Sequence, residues 1–81
     1  MATVAEINAA ISVAASNLQI LQEKLRIVNG SLANINPAYQ MNQNYIAKLL
    51  AQRIDLEAQI ATTQASIGAL TAERSVGRAH V

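Results

Sequence analysis

Residues 4–35 read VAEINAAISVAASNLQILQEKLRIVNGSLANI, and this stretch decides the fold. Apolar residues stand at Val4, Ile7, Ile11, Ala14, Leu18, Leu21, Leu25, Val28, Leu32 and Ile35, in alternating steps of three and four. Such a heptad pattern, with Val4, Ile11, Leu18, Leu25 and Leu32 at a and the others at d, draws one seam along an α-helix that needs another helix against it. Just before it, Thr3 and Glu6 have the spacing of a capping box, so helix 1 is expected to begin near Val4.

The same helix carries a second stripe. Val13, Ile20 and Ile27 are seven apart, at position c, about 130° round the helix from the middle of the seam at 100° per residue. Burying a Val or Ile is worth roughly 1.5–3 kcal/mol, so these three are expected to meet another chain. Gly30 leaves two courses open. The helix runs through to about Asn34, or it frays at Gly30 with Leu32 and Ile35 closing the end of the bundle.

Asn36-Pro37 is the expected turn. Asn is a good N-cap and Pro suits the first helical position, while Pro also keeps Asn36 out of helical geometry. Helix 2 is therefore expected from Pro37 to about Ser75. Its seam reads Tyr39, Ile46, Arg53, Ile60 and Ile67 at a, with Asn42, Leu49, Leu56, Thr63 and Leu70 at d. A neighbouring stripe, Ala47, Leu50, Ile54, Ala58, Ala61, Ala65, Gly68 and Ala72, is small-residue in its second half. Folding about Asn36 would set residue i beside residue 72 − i. The small residues at 58–72 would then meet Ala5, Ala9, Ala10, Ala14 and Ala15, and Glu23 would sit by Lys48. Residues 76–81 break the pattern and are expected to form a short tail on a single hairpin spanning 1–81.

Composition narrows the function. Cysteine is absent, which excludes disulfides and thiolate metal sites, and a net charge of +1 from six basic and five acidic residues forms no cluster for nucleic acid. The chain is 52% apolar, yet Tyr39 and Tyr45 are its sole aromatics, a diet for a helix bundle. No basic-then-apolar leader stands at the N-terminus and no uninterrupted apolar run approaches the roughly 20 residues of a membrane span. The amide-rich polar faces do not suit membrane binding either. The expected setting is a virion or the cytoplasm.

No catalytic constellation, cofactor motif or metal-ligand spacing is found. His80 is terminal, and Asp55 and Glu57, two residues apart, point to different sides of a helix. Two oddities remain. Arg53 sits in a core position, either to carry its head to the edge of the seam or to specify a partner. Tyr39 and Tyr45 stand among amides near the turn, either to dock on another protein or to seal the bundle's end.

The reading is an all-α antiparallel coiled-coil hairpin with arms of about 45–55 Å. The intra-hairpin seam is Ile7, Ile11, Leu18, Leu21, Leu25, Val28, Leu32, Ile46, Leu49, Leu56, Ile60, Ile67 and Leu70. Val13, Ile20, Ile27, Tyr39, Tyr45 and Arg53 face partners, which are copies of the chain or a larger structural protein. In size, layout and composition the hairpin resembles small helical virion accessory proteins. It is also similar to secretion-needle subunits in length and in a Pro-containing turn, without their paired prolines. These likenesses imply a structural role, and a groove for a partner helix implies an adaptor or chaperone instead.

Overall fold

The computed structural model describes residues 2–36, 38–39 and 42–79, with side chains described as far as Val76. Two helices, α1 (Val4–Asn34) and α2 (Gln43–Ala79), fold back on each other into a rod of 62 × 14 × 14 Å.

α1 starts where its capping box stands. The Thr3 hydroxyl oxygen accepts the Glu6 amide at 3.1 Å, the Glu6 carboxylate accepts the Thr3 amide at 3.4 Å, and the Ile7 amide donates to the Thr3 carbonyl at 2.9 Å. Thr3→Ala is expected to destabilise the hairpin by about 1 kcal/mol, measured as a lower midpoint in urea. The helix passes through Gly30 in helical geometry, since no described glycine has positive φ. It ends at Asn34, and Ile35 is extended at φ −86 and ψ 133.

The second helix begins later than the Asn36-Pro37 pair suggests. Pro37, Gln40 and Met41 lie outside the described residues. Asn36 closes an Asx turn rather than capping α2, its side-chain oxygen accepting the Ala38 amide at 2.9 Å. Two short turns come next, with the Tyr39 amide on the Asn36 carbonyl at 3.4 Å and the Asn42 amide on the Tyr39 carbonyl at 3.0 Å. The Asn42 side-chain amide closes them by donating to the Asn36 carbonyl at 3.0 Å. α2 then starts at Gln43 rather than Pro37. The reason is packing: Tyr39 is exposed, and Ile46 is the first apolar residue of α2 to turn inward, so nothing rewards a helix before it. At the other end α2 continues through Val76 to Ala79, past the expected stop at Ser75. His80 and Val81 lie outside the described residues.

The seam packs as the heptads require. Every a and d residue of α1 is buried or half-buried, as is every one of α2 from Asn42 to Arg74. Ile7, Val28, Leu49 and Leu56 are the most enclosed. Val28, Leu49 and Leu56 form a cluster with Leu21, Leu25, Leu32 and Ile35 around it.

The longer turn shifts the mirror point of the hairpin from Asn36 to between Asn34 and Gln43, and the expected register fails with it. Arg74 Nη1 donates to Asn8 Oδ1 at 3.1 Å, where mirroring about Asn36 would set Asn8 beside residue 64. Glu23 pairs within its own helix, accepting Arg26 Nε at 3.0 Å, and not with Lys48. The small residues do not meet either. Ala14 and Ala15 are half-buried, but Ala5, Ala9, Ala10, Ala58, Ala61, Ala65, Gly68 and Ala72 are all exposed.

Candidate interaction surfaces

Several charged groups on the rod are paired locally. Asp55 accepts Gln59 Nε2 at 2.7 Å, and Glu57 lies 3.6 Å from Arg53 Nε. The hydrogen bond from Arg26 holds the Glu23 carboxyl below its ordinary pKa, and the same bond raises the Arg26 guanidinium. Among the described residues no group of His, Cys, Asp or Glu is arranged to hold a metal. His80 is outside them.

Apolar surface is what the rod offers. Val13 is 62% exposed and Ile20 and Ile27 are each 54% exposed, so the three c positions form one wet line along α1. Packing against α2 leaves them largely wet because position c lies about 130° round the helix from the seam. Tyr39 and Tyr45 are also exposed, at the turn end. They do not seal the bundle, and they stand apart from the α1 line. Arg53 is not part of that surface. It is half-buried at the seam's edge with its head turned along α2 toward Glu57, so it carries its charge out of the core as a long cationic side chain can.

The small-residue stripe of helix 2, expected to meet helix 1, faces outward instead. On α2, Ala47, Ala51, Ile54, Ala58, Ala61, Ala65, Gly68 and Ala72 are spaced four and three alternately, and all are exposed. This is a second heptad, on the back of the helix. Leu50, placed in that stripe from sequence, lies at its edge and is 37% exposed, and Ala51 completes the line. What the sequence left unread was the outward direction of the stripe, since alanines at heptad positions give little hydrophobic contrast. Nearby hydroxyls add little polarity. Thr62, Thr63, Thr71 and Ser75 each donate to the carbonyl four residues back.

Between the helices runs a shallow groove of about 390 Å³, bordered by Leu21, Lys24, Ile27, Gln52, Asp55 and Gln59. Its rim mixes both charges with amides and offers no concentrated site for a small ligand. One expectation about membranes changes. Although no unbroken apolar run is long enough, α1 as a whole is long and apolar enough to cross a membrane by length and composition. Its two apolar lines, seam and back, add up to that average.

Comparison with protein-family models, with curated proteins and with solved structures finds no match.

Proposed function

We propose that this chain is a non-enzymatic structural subunit, a helical hairpin that packs laterally against other subunits of a larger assembly. The observation that carries this reading is the apolar surface on the back of each helix, with Val13, Ile20 and Ile27 wet on α1 beside the Glu23–Arg26 ion pair and Ile54 69% exposed on α2. An isolated monomer of this kind exposes too much. A compact chain of 8.6 kDa has an accessible surface of about 4,700 Å², against 5851 Å² for this rod. The setting proposed first is a virion particle, a phage-type capsid or tail, on likeness in size, layout and composition to small helical accessory proteins. A filament subunit is the second setting, favoured by apolar surface on both outward faces. An adaptor holding a partner helix in the groove is the alternative from another class.

Ile20→Lys tests the reading. Ile20 is exposed in the hairpin, so helicity by circular dichroism should survive while the mass by light scattering falls to that of a single chain. Normal assembly of this variant sinks the proposal. The same samples mixed with phospholipid vesicles separate the membrane reading of α1. Co-sedimentation of the wild type that Ile20→Lys abolishes would replace a protein partner with a lipid surface.

A further inference from the structure

We infer that copies of this chain stack side by side, the back of α1 in one copy lying on the back of α2 in the next, with no shift along the rod. This rests on the lateral-subunit reading and goes beyond it by naming the partner and the face.

Three features lead there. The first is placement. The α1 line through Val13, Ile20 and Ile27 with Ala9, Ser16 and Glu23, the last held in an ion pair with Arg26, and the α2 line from Ala47 to Ala72 each lie about 150–160° from their own seam at 100° per residue. Because the seams face each other, the two backs point outward on opposite sides of the hairpin. A contact between them is therefore heterologous and leaves a free back at each end of the pair.

The second is shape. The α1 back bears a branched side chain every seven residues, and the α2 back is small almost throughout. Heights along the rod match as well. Ile27 borders the groove beside Gln52 and Asp55, which puts it level with Ala51 and Ile54. Ile20 borders a second groove with Gln59 and Thr63, level with Ala58 and Ala61. One heptad further, Val13 comes level with Ala65 and Gly68. A neighbour moved sideways keeps these heights, so each large side chain enters a space between two residues of the α2 back as a knob into a hole. Gly68 has room for this, since a Cβ built there meets nothing within 4 Å. The self-pairings fit worse. α1 on α1 sets Val13, Ile20 and Ile27 against their own kind, and α2 on α2 buries Ile54 and otherwise little beyond methyl groups.

The third is area. A copy inside a row has both backs covered. To remove the rod's excess surface of roughly 1,100–1,200 Å² over a compact chain, each back has to bury about 600 Å², and two patches of that size would make a contact at the lower end of standard interface size.

The test uses two variants with opposite defects. Ile20→Lys blocks the α1 back and Ala58→Lys blocks the α2 back. Both positions are exposed within the hairpin, and circular dichroism checks that each variant stays helical. Sedimentation or light scattering should show the wild type growing in mass with concentration. Each variant alone should stay at 8.6 kDa, with association weakened at least about 100-fold, equivalent to a cost of about 2.7 kcal/mol. An equimolar mixture should form a one-to-one pair and stop, because one intact back of each kind remains. If Ala58→Lys assembles like the wild type while Ile20→Lys does not, the contact is α1 on α1. The inference is then overturned and the lateral-subunit reading stands. If both variants fail alone and the mixture stays monomeric, the heterologous contact is likewise overturned. A wild type that remains a single chain at about 0.5 mM also overturns it, leaving a different protein as the partner of the backs.

Discussion

Leu56→Ala is expected to lower the stability of the hairpin by about 2–5 kcal/mol. Leu56 is among the most enclosed side chains of the rod and packs with Val28 and Leu49 at the centre of its largest cluster. A chain of this length without cross-links has little more than about 3–5 kcal/mol from its core to lose. The variant should therefore show a much lower midpoint in urea, with much of its helicity gone in the absence of denaturant. Leu50→Ala, at a position 37% exposed on the same helix, is the control and should cost under about 1 kcal/mol. Equal losses in the two variants would mean that the seam is not where the hairpin is held together.

The opposite change is expected from Gly30→Ala combined with Gly68→Ala. Both glycines lie inside helices, neither has positive φ, and an added Cβ at either meets nothing within 4 Å. Alanine then removes the backbone freedom that glycine confers on the unfolded chain, worth up to about 1 kcal/mol at each site. The two sites share no partners, so the gains should add to about 2 kcal/mol. Thermal unfolding should show the midpoint raised by roughly 8–16 °C. A loss at Gly68 alone, in the assembled state only, would point to a neighbour that approaches too closely for a methyl group.

The seam was legible in the sequence because it is written in contrast. Large aliphatics alternate with Asn, Gln and Ser at heptad spacing, and Val4 to Asn34 came out with both ends in place. The α2 seam was legible for the same reason, even with Arg53 and Thr63 in it. What failed was longer in range or lower in contrast. Asn36-Pro37 states where a helix is allowed to start, and Asn36 does close a turn, but the start is set by where packing begins, at Ile46. The register depends on the length of that turn, so the expected Glu23–Lys48 neighbours were lost with it. The end of α2 was missed because apolar periodicity stops before the helix does. Extending an existing helix by a few residues costs little, whatever the pattern. At the surface, the branched line on α1 was visible as isoleucines. The matching line on α2 was half hidden, because alanine reads first as a helix former and Leu50 drew attention away from Ala51.

The described side chains include none that is wholly sealed from solvent. A rod built this way is expected to open often when it stands alone, each opening presenting its backbone to a protease, which limited proteolysis of the single chain would measure. In the proposed assembly, lateral neighbours would suppress that opening by mass action. Surplus copies would thus be cleared while incorporated ones persist, and the amount of this polypeptide in a cell would track the number of places waiting for it.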